Sequence, residues 1–250
     1  YLEEQYDTPL FIREKKKLYL TDAGQILKDS LETLQSDDHR MKIRMQQSMA
    51  GKKGLTFGVT MTIGEYAVIP SLARFLKAHP QWEIHICYGN TQTLLSRLRE
   101  GTLDFAIVEG YFREDLYTTR ILQKEPFIGV ASSKHIFQKP VSCLRDLTGE
   151  RLLLREHGSG TRAILTKILA LNNLSAEDFS HIIEIENIHA IVSLLREDCG
   201  ISFLYQSAVQ KELEDKTLIE IPLSDFKIAH DFSFIWNKDS IFSAQYEAIF

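Results

Sequence analysis

From Gly24 to Gly51 the chain has no proline and no further glycine, a stretch long enough for one continuous helix. Thr21-Asp22 stands just ahead of it. A threonine hydroxyl there can accept an orphan backbone N–H, and an aspartate suits the positive end of the helix dipole. At 1.5 Å per residue a helix from Thr21 to about Ala50 reaches ~45 Å, too long to bury against one small domain. Leu27, Leu31, Leu34, Met41 and Met45 recur at intervals of four, three, seven and four, with Asp38 at the missing heptad position. A seam of this kind pairs with another helix, and Asp38 is a candidate for setting its register. The other face (Lys28, Asp29, Glu32, Gln35, Asp37, Arg40, Lys42, Arg44) is polar throughout, so we read a dimerising linker helix rather than a core helix of the same chain.

Composition narrows the rest. At 250 residues and 44% hydrophobic, the chain can build one or two packed domains. No run of eighteen apolar residues and no signal-type segment appears, which points to a cytoplasmic protein that neither spans nor anchors in a membrane. Cys87, Cys143 and Cys199 are odd in number, far apart and without a CxxC spacing, against a disulfide scaffold or a zinc site. They read as single buried thiols; Cys199, beside Gly200, is the one that could serve as a sensor. Residues 1–54 hold ten Lys/Arg against nine Asp/Glu, whereas the rest hold nineteen against twenty-five. The acidic bulk is no nucleic-acid surface.

The basic exception is Arg13-Glu14-Lys15-Lys16-Lys17. Tyr1–Tyr6 reads as the tail of a helix, broken by Asp7-Thr8-Pro9, and Leu10–Ile12 and Leu18–Leu20 as two short strands around the basic loop. Arg13, Lys15, Lys16 and Lys17 at the tip of such a hairpin would meet DNA phosphates and position the protein without reading bases. Leu2-Glu3-Glu4, Pro9-Leu10-Phe11-x-Arg13 and Leu20-Thr21-x-Ala23-Gly24 together resemble the end of the winged helix-turn-helix of LysR-type transcriptional regulators. Asp7 stands where that family usually has a turn glycine, and aspartate tolerates the left-handed backbone better than most residues. The resemblance implies that the earlier helices of the DNA-binding domain are not in this stretch.

After Gly54 the pattern becomes α/β. Strands are expected at Leu55–Thr60, Glu83–Tyr88, Leu103–Val108, Phe127–Ala131, Arg151–Leu154, His181–Ile185 and Gly200–Leu204, with Leu218–Ile221 and Phe232–Trp236 further on. Helices are expected at Ile63–Ala78 (kinked or restarted at Pro70), Thr91–Glu100, Thr161–Leu171, Ile188–Arg196 and Tyr205–Leu213, and one from near Ser240. The alternation predicts a mostly parallel sheet in two similar units. Gly58, Pro70, Phe75, Pro80, Gly101-x-Leu103-Asp104, Asp146-Leu147, Gly160-Thr161-Arg162 and Gly200-Ile201 again resemble the LysR family in order; Tyr205 and His135-Ile136 depart from its usual prolines. The implied fold is a two-lobed effector domain similar to type 2 periplasmic binding proteins. The expected division is a partial winged helix-turn-helix at 1–20, a linker helix at 21–50, lobe I at 55–123 with 226–250, and lobe II at 124–225.

Two strand-to-helix turns could carry a ligand: Thr60-Met61-Thr62 and Gly158-Ser159-Gly160-Thr161-Arg162. Each would offer free backbone N–H groups, a positive dipole end and hydroxyls, a ready anion site, with Arg162 adding charge. Phe203, in the expected strand Gly200–Leu204, is counted with these turns among the effector-binding residues. The expected effector is a small carboxylate or inorganic anion between the lobes, where the resemblance also places it; sugars and aromatic acids stay open. The glycine turn also satisfies a G-x-G-x-x-A dinucleotide pattern, with Glu184 and Glu186 near ribose distance, but Arg155-Glu156-His157 separate it from its strand. No G-x-S-x-G, H-E-x-x-H or Walker sequence occurs, so neither a catalytic residue, a metal nor a cofactor is expected. The reading is a ligand-responsive regulator that binds double-stranded DNA, pairs as a dimer or tetramer (through the linker seam and the helices Thr91–Glu100 and Ile188–Arg196), and could meet RNA polymerase. The alternative is a two-lobed solute-binding protein without a DNA-binding role.

Overall fold

The computed structural model describes residues 1–250. A short helix α1 (Leu2–Gln5) turns at Asp7, whose φ of 46° is the left-handed conformation expected there. The hairpin β1 (Phe11–Glu14)–β2 (Lys17–Leu20) follows. Its two-residue turn holds Lys15 and Lys16 at φ 45° and 69°, the sense of twist that suits an antiparallel pair. Arg13 and Lys15–Lys17 are all exposed. Helix α2 (Asp22–Met49) is unbroken and capped as expected, Thr21 Oγ1 accepting from the Gly24 N–H at 2.9 Å.

What α2 packs on differs from expectation. The seam stays outward, with Leu34 60% and Met45 61% exposed, while the polar face docks onto the body of the same chain. Arg40 is 2% exposed and donates through Nε to Asp104 Oδ1 at 3.1 Å; Arg44 Nη2 reaches the same oxygen at 2.8 Å. Asp104 also accepts from the Thr56 N–H at 2.8 Å, and Tyr246 OH lies 3.4 Å from it. Asp37 accepts from Ser240 Oγ and from the Ile241 N–H, and Ser36 donates to the Leu98 carbonyl. A polar face with this many matched partners is a docking face, not a solvated one. Gly101 belongs to the contact: φ is +70°, and a Cβ there would fall 2.4 Å from the Ser36 carbonyl oxygen.

The body opens with β3 (Lys53–Val59), then a π-helical turn (Ile63–Ala67) and α3 (Ile69–Ala78), which restarts at Pro70 as expected. Next come β4 (Trp82–Tyr88), α4 (Thr91–Arg99) and β5 (Phe105–Val108). The four residues of β5 are all buried: Phe105 and Ile107 enter the core shared with β3 and α3, Ala106 and Val108 the one under α4. That two-sided burial explains the continuous apolar run.

Strand β6 (Tyr117–Ser132) is far longer than the expected Phe127–Ala131. Beyond it lie β7 (Arg151–Leu154), α5 (Gly160–Leu171), β8 (His181–Glu184), α6 (Ile188–Arg196), β9 (Ser202–Tyr205) and α7 (Gln210–Glu214). The chain closes with β10 (Leu218–Glu220), β11 (Ile228–Asn237) and α8 (Ser243–Ile249). Tyr205–Leu213, expected as one helix, is a 3₁₀ turn at Gln206–Ala208 followed by α7.

Seven strands form one sheet in the order β10-β6-β11-β5-β3-β4, with β9 also on β6; β7 and β8 pair separately. The sheet is not mostly parallel. Only β3–β4, β3–β5 and β7–β8 run parallel, because β6 and β11 pair antiparallel and carry the chain between two halves. The first stretch of β6 pairs with β11, whereas Phe127–Val130 pairs with β9 and Val130–Ser132 with β10. Residues 123 and 124 thus fall inside one strand, beside a bulge where the register slips at Phe232/Ser233.

Replacing Asp104 with Asn leaves two arginines without their shared counter-charge. Asp104→Asn should lower the unfolding free energy by about 3 kcal/mol, the usual scale for breaking a buried pair from one side. A urea midpoint close to wild type would show that α2 is not held by this contact.

Candidate ligand site at the junction of the two halves

The two expected turns meet at the carboxyl end of β5. In the first, Thr60 follows β3 and the N–H groups of Met61, Thr62 and Ile63 have no backbone acceptor. In the second, Ser159 stands at the N-cap position of α5 without a side-chain cap bond, and the N–H groups of Gly160, Thr161 and Arg162 are likewise free, the ladder starting with Ala163 onto the Ser159 carbonyl. Helix N-termini left open like this attract anions.

Glu109 stands between them. It is 2% exposed, and its carboxylate accepts the Thr60 hydroxyl. Its carbonyl accepts Thr91 Oγ1 at 2.9 Å, and a Cβ on Gly160 would lie 2.3 Å from that same oxygen, so only glycine lets α5 start this close to β5. Burial pushes the Glu109 carboxyl up to about 7; the Thr60 hydrogen bond and the Arg155 guanidinium oppose the shift without cancelling it. Arg155, itself buried, directs its guanidinium to Glu156 at 2.8 Å.

Thr60 and Thr62 are 2% and 0% exposed. Thr62 Oγ1 and the Tyr205 hydroxyl are buried without a hydrogen-bond partner, a costly state for a polar atom. Burial, with the Glu109 carboxylate as the next cause, drives the Tyr205 phenol well above its ordinary range. Ser159 and Thr161, also buried, satisfy each other at 2.6 Å. Met61 is partly exposed and lines a cavity of about 560 Å³ with Tyr88, Asn90, Arg155, Glu156 and Asn187. A second cavity of similar volume flanks the other side of the glycine turn, lined by Gly158, Ser159, Gly160 and Arg162 with Tyr111 and Lys167.

Two expected residues are placed differently. Arg162 is already engaged: it pairs with Glu184, donates to the Arg155 carbonyl at 2.9 Å and lies 3.0 Å from His157 Nε2. Phe203 is no cleft wall; it is 4% exposed in the core, its ring 4.9 Å from Phe226. The Glu184 that a ribose would need is the partner of Arg162. The residues that sequence reasoning missed are Glu109, Arg155, Thr91 and Tyr205. Glu109 had a signal, an acid placed directly after an all-apolar parallel strand.

The halves touch across the site. The Gln92 N–H donates to the Gly158 carbonyl at 3.3 Å, and Asn90 Nδ2 to the His157 carbonyl at 3.4 Å. On the far side His189 Nε2 lies 2.8 Å from Glu65 Oε2. An apolar cavity of about 130 Å³ under α3 has twelve hydrophobic residues in its lining and only Ser71 as a polar one, so it offers nothing to orient a ligand.

A family model described as the LysR substrate binding domain matches residues 51–250. The chain belongs to that family. CysL of Bacillus subtilis, an HTH-type transcriptional regulator, is 25% identical to this LysR-family chain over 236 residues, 94% of this chain and 78% of that one. Among solved structures, the Synechocystis CcmR regulatory domain in complex with 2-PG matches with a TM-score of 0.68 at 20% identity, over 79% of this chain and 95% of that one. A full-length OxyR variant from Pseudomonas aeruginosa matches with 0.64 at 22%, over 99% of this chain and 80% of that one. These likenesses show the fold, an α/β effector-binding domain. The LysR family is one of transcriptional regulators, and this member is a regulator, not an enzyme. No helix is long and apolar enough to cross a membrane.

A carboxyl that ionises less readily folded (about 7) than unfolded (ordinary value 4.5) favours folding most at low pH. That contribution fades as pH rises through about 7. Relative to Glu109→Gln, wild type should lose on the order of 2–3 kcal/mol between about pH 5 and about pH 8.5. Paired urea titrations would check this; a difference that does not change with pH would mean Glu109 is ionised throughout.

Proposed function

We propose that this LysR-family chain is a cytoplasmic regulator whose DNA binding responds to a small anion held between Thr60–Thr62 and Gly158–Arg162. The observation that carries the reading is the pair of open helix N-termini at one junction of the two halves, with unpartnered buried hydroxyls beside them. The six free N–H groups come from both halves, so a ligand that bridges them binds better when the halves are close. That differential affinity is what lets it shift a conformational equilibrium. The 2-PG bound by the CcmR regulatory domain supports a compact anion as the kind of ligand proposed here.

In this reading residues 55–123 with 226–250 and residues 124–225 are the two lobes, with β6 and β11 as their hinge strands. The α1–β2 segment is the end of a winged helix-turn-helix, and Arg13 and Lys15–Lys17 sit on DNA phosphates. The exposed residues Leu31, Leu34, Met41 and Met45, with Leu27 and Asp38, are the seam by which two copies pair; a tetramer would need a second contact between effector lobes. RNA polymerase is proposed as the machinery that this arrangement addresses.

Thermal unfolding against sulfate, phosphate, 2-phosphoglycolate and aliphatic or aromatic carboxylates tests the site. An anion at a hundred times its dissociation constant adds about 2.7 kcal/mol, roughly 5–10 °C for a protein of this size. Thr62→Val keeps the shape and removes the hydroxyl, and should weaken the hit about tenfold or more. An unchanged affinity would move the site away from this turn. Leu31→Asp should halve the mass in solution with the body still folded, and an unchanged mass would remove the seam.

A further inference from the structure

We infer that Glu109 sets the charge of the ligand site: an anion held between the two turns binds together with one proton, carried by the Glu109 carboxyl. This rests on the ligand reading above and says what kind of binding event occurs there.

Three observations lead to it. Glu109 is buried at the meeting point of the turns, tied to the first by the Thr60 hydroxyl and to the second by the approach of Gly160 to its carbonyl. An anion seated on the free N–H groups of both turns is therefore close to this carboxyl. If ionised, the carboxyl repels the ligand; if neutral, it can donate a hydrogen bond to an oxygen of the ligand.

Second, no unpaired basic side chain faces Glu109; Lys167, in the cavity beyond the glycine turn, lies over the Tyr111 ring. Arg155 and Glu156 are the charged groups that face Glu109 from the segment before α5, and they are paired with each other. Arg162 is held by Glu184. From β3 and α4 come only the hydroxyls of Thr60 and Thr91, and from the end of β9 the neutral phenol of Tyr205.

Third, the carboxyl is already disposed to keep its proton in the absence of ligand, through burial, to about 7. A further negative charge raises it more. The proton balance closes: above about pH 7 the free protein holds Glu109 ionised, and binding takes up one proton from solvent.

The consequence is selection by charge. Between the two turns a small oxyanion is favoured if it shares one proton with the protein, and affinity falls as pH rises. By one-proton linkage the loss is about tenfold per pH unit above the value for the free protein. Neutral ligands such as sugars would show no such slope.

The test is isothermal titration of the full chain with sodium sulfate between about pH 6 and about pH 9, in buffers of different ionisation enthalpy. Sulfate carries no proton of its own in this range. Expected for wild type are a falling affinity above about pH 7 and uptake of close to one proton per sulfate. Expected for Glu109→Gln are a flat profile and no uptake. As a second variant, Thr60→Val removes the hydroxyl that favours ionised Glu109, and should move the break to higher pH whatever it does to the affinity. A flat wild-type profile with clear sulfate binding overturns the inference and leaves the anion site standing. So does a slope that survives in Glu109→Gln, because the proton then belongs to His157 or His189. An unmoved break in Thr60→Val also counts against it. Absence of sulfate binding by any variant at any pH overturns the inference together with the anion reading.

Discussion

Asp104 is the point on which the arrangement of this molecule depends. Its carboxylate is fully enclosed, yet it accepts from Arg40, Arg44 and the Thr56 N–H, so it links α2, the start of the sheet and its own position at the entry to β5. Taking such a charge out of water is expensive by several kcal/mol, and the attraction offsets this only when geometry is good and the remaining lone pairs are used. Here they are. Arg44 also lies over the Phe242 ring at 3.9 Å, so α8 closes the same cluster from the other side. Because one helix face is committed to this contact, the leucines and methionines of the seam are left to face outward. The docking face of α2 and the proposed pairing seam are therefore separate, and pairing would not require the docking contact to be released.

The separation has a mechanical consequence. Contacts at Ser36, Asp37, Arg40 and Arg44 fasten α2 to the half of the sheet that carries β3, β5 and α8. β6 and β11, which carry the chain between halves with a register slip beside Phe232, are the proposed hinge. Closure about that crossing would rotate one half against a rigid unit of helix and sheet. A change at the ligand junction would then reach α2 as a change of angle, not as a loosening.

Much of this was legible in the chain and some was not, for physical reasons. The span of α2 is set by local chemistry, the Thr21 cap and the lack of breakers, and it appears as read. Strands buried on both faces, such as Phe105–Val108, announce themselves by apolar runs. Residues 117–126 of β6 did not, because two polar triplets, Thr118-Thr119-Arg120 and Gln123-Lys124-Glu125, flank Ile121-Leu122 without alternation, and pairing with β11 holds them in place. The polar face of α2 misled for a related reason. Burial of Arg40 is decided by Asp104, sixty-four positions away, and no periodicity encodes a partner at that distance. Phe203 failed because strand position alone does not say whether a side chain points to the junction or to Phe226. At the candidate site the turns were readable from their hydroxyls and glycines, but Glu109 becomes meaningful only when two sequence-distant turns close on it.

In the proposed site, charged side chains are poor guides to an anion pocket. Arg155 and Arg162, the two guanidiniums nearest the junction, are matched by Glu156 and Glu184, so each contributes little net field. Besides Lys167, which lies over the Tyr111 ring, what remains positive is the backbone, six N–H groups at two helix starts without a backbone acceptor. Their field is short in range and falls off within the first turn, so it rewards a compact ligand that touches both turns at once. If an anion binds there as proposed, a site built from backbone donors around one buried acid would discriminate by size and protonation before side-chain recognition.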